Sequence, residues 1–290
     1  MNVERVVKNF QALAVPPFVA DAIHRVTTQN GSVLDLARII ESDATLTIRV
    51  LRSINSAAYG LPRKIANIHE AVALLGFRQL GELCADLPVL TQSQITETRH
   101  GFNRVELWKH SLGTAVASKL INEQITGRSD PTVYIAGLLS NIGRTILDTY
   151  FPEEFQRALK LSFEEELSLR HAERRVFGVP SETVGYWAAS TWELAECLTE
   201  TLNENYGLTY SGIAWIVDLA AILTESLGMG SSGNRFFSPL KPGLLSRNFI
   251  TKNTLESMIE MLDDSFNDLR AIYCRKEQPQ TETTGENNAE

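Results

Sequence analysis

Histidines, cysteines and clustered acids are the side chains of this sequence that could ligate a metal or move protons, and their spacing limits what they can do. His24, His69, His100, His110 and His171 fall in separate segments, and no two stand four residues apart as a helix-borne metal pair requires. Cys84, Cys197 and Cys274 lack the short paired spacing of a zinc site or a disulfide framework, so a reducing compartment is expected. No serine sits in a nucleophile-elbow sequence, and no phosphate-binding loop is present. GMGSSG, with Gly228, Gly230 and Gly233, has the spacing of a dinucleotide fingerprint. That chemistry needs a strand before the turn and a helix after it, so that phosphates meet helix amide groups. Here a helical segment precedes and a proline-bearing loop follows, so the run is expected to be a flexible connector. Glu164, Glu165 and Glu166 are expected to open an exposed helix, where negative charge suits the dipole.

The elements that must position these groups are helices. Ser32 can cap with Asp35, and Val33, Leu36, Ala37 and Ile40 follow at spacings of three and four. Asp43 begins a second segment with Leu46, Val50 and Ile54, and a third runs from His69 to Leu87, broken only by Gly76. Alternation with period two is almost absent. Thr91 to Asn103 is polar and reads as the linker between two helical lobes. Amphipathic helices are then expected over Val105 to Leu120 and Ile135 to Tyr150, a further pair over Glu164 to Val176 and Thr183 to Glu204, and an apolar segment over Ile213 to Leu227. Ser231 to Ser246 reads as an irregular loop. Leu255, Ile259, Leu262, Phe266, Leu269 and Tyr273 form one apolar stripe on a final helix from about Asn253 to Cys274. Such a stripe must be covered, and docking on the chain's own second lobe is the expected solution. The residues after it are polar and expected to be disordered.

The 290 residues are 43% hydrophobic and 21% charged, enough for a sizeable core. With 27 lysines and arginines against 35 acids, the net charge of -8 disfavours a nucleic-acid partner. The start has no apolar run behind a basic cluster, and the longest apolar stretch is interrupted by Asp218 and too short to span a bilayer, so a soluble cytoplasmic protein is expected.

Pro16 and Pro17, then IIESDATLTIRVLRSINSAAYG from Ile39 to Gly60, then Ile65, Ile68, Ala71 and Leu74 to Gly76 resemble the pattern of the HDOD family. Ala44 departs from it, where proline usually follows the aspartate. The resemblance extends from about Leu13 to Gly230 and implies an all-α fold: an N-terminal helical lobe over 1–100 packed on a degenerate lobe like an HD phosphohydrolase over 101–275, with a tail over 276–290. An HD site gathers imidazoles and carboxylates on one or two metals, which polarise a phosphoryl group and activate water. In LWKHSLGTA, His110 matches the first histidine of such a site. The His-Asp pair would fall at Ser140 and Asn141, a further histidine at Ser181, paired histidines at Asn205 and Tyr206, and the last aspartate at Ala221. None of these can supply an imidazole or a carboxylate, so no metal, no cofactor and no catalysis are expected, and His110 is read as a hydrogen-bonded structural histidine beside Gly113, Thr114 and Ala117.

The resemblance therefore implies a bacterial regulatory module for signal transduction that binds a partner protein or a small signalling nucleotide. The rival is a divergent metal-dependent phosphohydrolase acting on nucleotides or cyclic dinucleotides. Any ligand is expected in a groove between the lobes, touched by Asn55, Ser56, Tyr59, His110, Ser140 and Asn141. Asn55 and Tyr59 also have a plain reading, as a helix end and its packing.

Overall fold

The computed structural model describes residues 3–9, 13–29, 31–98, 100–203, 212–236, 245 and 250–274. Its helices are α1 Val3–Asn9, α2 Pro17–Thr28, α3 Val33–Glu41, α4 Ala44–Ile54, α5 Ile68–Ala85, α6 Gln92–Thr96, α7 Arg104–Thr126, α8 Pro131–Leu139, α9 Ile142–Tyr150, α10 Pro152–Glu164, α11 Leu169–Phe177, α12 Ser181–Thr191, α13 Glu196–Thr201, α14 Ala214–Ser226 and α15 Lys252–Cys274, with a short 3₁₀ turn at Ala57–Tyr59. Among the described residues there is no strand, only an isolated bridge between Val15 and Val89. The fold is all-α, as the periodicity implies.

Local side chains start the helices. Asp35 donates its amide to Ser32 Oγ at 3.1 Å and accepts the Ser32 amide at 3.0 Å, a reciprocal cap on α3. Asp43 caps α4 by accepting the Leu46 amide at 3.0 Å, and Asn103 caps α7 by accepting the amides of Val105 and Glu106. Helices α3, α4 and α5 pack on one another in the N-terminal half, and α5 bends at the non-helical backbone of Gly76. Helix α1 packs instead against α12, and one apolar core runs continuously from Val3 through Val217 across both halves.

Helix α7 is the axis of the second half. Its pattern reads as amphipathic, yet Leu107, Trp108, His110, Ser111, Leu112, Gly113, Thr114, Ala115, Ala117, Ser118 and Ile121 bury most of its circumference. The small residues among them let α8 and α14 approach from two sides.

Four expectations are corrected. Ile135 to Tyr150 is two helices, α8 and α9, separated at Ser140 and Asn141. The stretch from Thr183 to Thr201 is likewise broken between α12 and α13, where Glu193 takes a φ of 54°, and Glu204 lies outside the described residues. Glu164 to Glu166 closes a helix rather than opening one: Pro152 starts α10, Phe155, Ala158 and Leu159 bury its inner face, and Glu166 leaves it at a φ of 53°. Arg175 pairs with Glu165 at this end. The glycine run after α14 is a packed turn, not a flexible connector. Gly230 adopts a φ of 75°, and a Cβ there would stand 2.4 Å from both the Glu106 carbonyl oxygen and the His110 amide nitrogen of α7, so only glycine fits.

Helix α15 closes a second apolar cluster. Met258, Leu262 and Phe266 are fully buried with Ile121 of α7 and Trp215, Leu219 and Leu223 of α14, while Leu255, Ile259 and Leu269 are half-buried at its margin. Arg270 donates to the Leu227 carbonyl at 2.5 Å, tying α15 to the end of α14. The Tyr273 side chain lies outside the described residues.

Candidate functional site

Helix α14 presents Trp215, Leu219 and Leu223 to the cluster under α15, while Val217, Asp218, Ala221, Ile222 and Glu225 line a cavity of about 200 Å³. The spacing 218, 221, 222, 225 is one helical face. The remaining walls come from His110 on α7, Ser140 and Asn141 at the α8–α9 turn, Arg144 on α9, Arg170 on α11, Ser181 and Glu182 at the start of α12, Thr201 and Leu202 at the end of α13, and Ser232 and Asn234 beyond α14. A Cβ on Gly143 would stand 1.8 Å from the Ser181 carbonyl oxygen, so glycine there lets the start of α12 press against α9.

At the centre is His110, 2% exposed. Its Nε2 lies 3.1 Å from Glu225 Oε2, and its Nδ1 lies 3.0 Å from Asn141 Nδ2. The surrounding network assigns the ring proton. Ser111 Oγ gives its hydrogen to the Leu107 carbonyl and so accepts from Asn141 Nδ2 at 3.3 Å, which fixes the orientation of the Asn141 amide. Thr114 Oγ1 likewise spends its hydrogen on the His110 carbonyl at 2.8 Å. Nδ1 therefore accepts from Asn141, and the proton sits on Nε2, donated to Glu225.

Glu225 also accepts from Ser231 Oγ at 3.1 Å and from the Ser232 amide at 2.9 Å. Burial pushes its carboxyl up, but the hydrogen bond and attraction of His110, with the Ser232 side chain and amide, outweigh burial and hold it at about 2. From the other side Arg144 donates to the Ser232 carbonyl at 3.1 Å and stands 3.5 Å from Glu173, which in turn accepts the Ser181 amide at 2.9 Å. Glu173 is fully buried, and burial pushes its carboxyl up against the pull of Arg144. Asn234 caps α11 by accepting the Leu169 amide at 3.0 Å.

The structure brings His110, Ser140, Asn141, Ser181 and Ala221 to this cavity and does not bring Asn55, Ser56 or Tyr59 there. The cavity lies within the second half of the chain rather than between lobes. Asn55 is spent in the N-terminal half: it ends α4, its Nδ2 donates to the Ile65 carbonyl at 2.9 Å, and its Oδ1 accepts the Ile65 amide at 2.7 Å. Tyr59 accepts from Gln79, and Ser56 is exposed. Asn205 and Tyr206 lie outside the described residues.

The metal of an HD site does not fit these donors. Both ring nitrogens of His110 are engaged, Ser140 Oγ donates to the Gly137 carbonyl at 2.8 Å, and Ala221 offers a methyl group. Among the described residues no three His, Cys, Asp or Glu side chains gather to hold a metal ion. Glu225, Arg144 and Glu173 were not singled out from the sequence. Glu225 was within reach, because it follows Ala221 by four residues and so shares its helical face.

The HDOD family model matches residues 13–207 of the 290. The chain belongs to the HDOD family. HDOD proteins are associated with signalling and regulation and carry an HD-like helical fold. An uncharacterized protein of Treponema pallidum is 24% identical over 181 residues, 61% of this chain and 34% of its own length, so the chain spans about a third of that relative. Among solved structures, the MmoQ response regulator of Methylococcus capsulatus is 24% identical with a TM-score of 0.65, over 86% of this chain and 98% of that one. An HDOD domain protein of unknown function from Geobacter sulfurreducens is 25% identical with a TM-score of 0.53, over 93% and 95%. A virulence factor of Campylobacter jejuni is 18% identical with a TM-score of 0.66, over 91% and 97%. No helix among the described residues is long and apolar enough to cross a membrane.

Proposed function

We propose that this HDOD chain is a non-catalytic signal-transduction module that binds a small molecule in the α7–α14 cavity and passes its bound state to a protein partner through helix packing. One observation carries the reading: Nε2 of His110 is held by Glu225 and Nδ1 by Asn141, so the one imidazole at the position of an HD site has no nitrogen left for a metal. Helix α14 supplies a route outward, since one face lines the cavity and another is covered by α15. At about 200 Å³ the cavity is below the roughly 300–1,000 Å³ of pockets that hold drug-sized ligands, which argues against a nucleotide in this site.

The test is a phosphohydrolase assay on the full chain with nucleoside monophosphates, cyclic dinucleotides and bis-p-nitrophenyl phosphate, with manganese, iron or magnesium added, alongside elemental analysis. No turnover and no stoichiometric metal are expected. Turnover that His110→Ala abolishes would establish the divergent phosphohydrolase instead.

A further inference from the structure

Three polar atoms in the wall of this cavity have no partner among the described residues. Asn141, 8% exposed, spends its amide nitrogen on His110 and Ser111, and its Oδ1 accepts no hydrogen bond. Arg144, 9% exposed, gives Nη1 to the Ser232 carbonyl and turns Nε toward Glu173, which leaves Nη2 without an acceptor. Asn234 accepts the Leu169 amide with Oδ1, so its Nδ2 is a second free donor. None of the three is enclosed by protein, as the second oxygen of Glu182 is. They also stand together. The Arg144 amide donates to the Asn141 carbonyl at 3.0 Å in the first turn of α9, and the Asn234 amide donates at 3.3 Å to Oγ of Ser232, whose carbonyl Arg144 holds. Unpaired polar groups in so secluded a place are costly, and a ligand that pairs them removes that cost. Leu202, Val217 and Ile222 give the same cavity an apolar surface.

We propose that the cavity binds a small neutral cyclic amide, of the lactam, imide or free pyrimidine-base kind. Its N–H donates to Asn141 Oδ1, its carbonyl accepts from Arg144 Nη2 and Asn234 Nδ2, and its ring lies against Leu202, Val217 and Ile222. The proposal rests on the reading of this cavity as a binding site rather than a catalytic one. A ring holds the N–H and C=O of an amide side by side on one edge, which suits an acceptor and a donor one helical turn apart. A neutral ligand also suits the charges better than an ion does. Glu173 already balances Arg144, the acids Glu182, Asp218 and Glu225 line the cavity against an anion, and Arg144 and Arg170 line it against a cation. A space of about 200 Å³ is the share of about seven water molecules, which admits one small ring and no sugar phosphate.

Isothermal titration of the full chain with pyrrolidinone, succinimide and uracil, and with N-methylpyrrolidinone, N-methylsuccinimide and butyrate for comparison, tests this. One of the three cyclic amides is expected to saturate one site per chain and to bind at least about fivefold more tightly than its N-methyl form or butyrate, the worth of one neutral hydrogen bond. Asn234→Asp keeps the oxygen that caps α11 and removes the donor, and is expected to weaken binding by about the same factor. Ala221→Leu, which fills the cavity, is expected to abolish it. Circular dichroism checks that both variants fold, and the comparison of ligands on the unaltered chain decides if either does not. The proposal is overturned if no cyclic amide binds, if the N-methyl form or butyrate binds as tightly, or if a folded variant binds unchanged. None of these outcomes bears on the phosphohydrolase assay, which tests the non-catalytic reading separately.

Discussion

Arg144 on α9, in the wall of the cavity, and Glu173 on α11, fully enclosed, form a buried pair 3.5 Å apart. Two further contacts brace it: Arg144 holds the Ser232 carbonyl, and Glu173 holds the Ser181 amide. The pair thereby joins four segments of the site, from α9, α11, α12 and the turn after α14.

Removing one partner of such a pair leaves the other charge uncompensated. Arg144→Met is expected to cost about 3–5 kcal/mol in urea unfolding, and Arg144→Met with Glu173→Met substantially less than the sum of the two single changes. Additive costs would show that the two residues do not act as a pair.

Asp43 gives the chain a pH dependence of unusual sign. Burial pushes its carboxyl up from 3.8 to about 6, and the amide hydrogen bonds at the start of α4 only partly oppose that. The folded state keeps a proton between those values that the unfolded chain releases. Stability contributed by this group therefore falls as pH rises from about 4 to 6 and is flat above, by up to about 3 kcal/mol. Asp43→Asn keeps the helix cap and should flatten the profile over that range. A variant with an unchanged slope would assign the dependence to another group.

Glu225 acts with the opposite sign. Its folded carboxyl lies at about 2, well below the ordinary 4.5, so its contribution is present above 4.5 and lost as pH falls through 2. Glu225→Gln is expected to lower stability at neutral pH and to leave it nearly unchanged in strong acid. Equal destabilisation at both ends would mean that the side chain matters for its shape and not for its charge.

The sequence made some of this legible and hid the rest for physical reasons. Caps are local, so Ser32 with Asp35 and Asp43 marked the starts of α3 and α4 correctly. The Glu164 to Glu166 cluster reads as a helix start because charge alone does not reveal the buried face of α10, set by Phe155, Ala158 and Leu159. Ser140 and Asn141 are legible as residues without an imidazole or a carboxylate. Their position between α8 and α9 is not, because Leu138, Leu139 and Ile142 continue the helical rhythm across the break. Asn55 looked like a binding residue until the chain folded back and gave it the Ile65 backbone. Gly230 could not be placed from spacing, since its constraint is a contact with α7, over a hundred residues earlier in the chain.

The α15 stripe offers a direct test of packing. Phe266→Ala should cost about 3–5 kcal/mol, and truncation before Asn253 should lower the melting temperature and raise dye binding by uncovering Trp215, Leu219 and Leu223. Full stability in the truncated chain would mean that the stripe contributes nothing to the fold.

The central claim is that His110 is a hydrogen-bonded core residue and not a metal ligand, and the state of its ring nitrogens tests that most directly. Heteronuclear NMR of the full chain, recorded with and without excess zinc, should show Nε2 carrying a proton, with both ring-nitrogen signals unchanged by the metal. A His110 signal that loses its Nε2 proton and shifts on zinc addition would contradict the account.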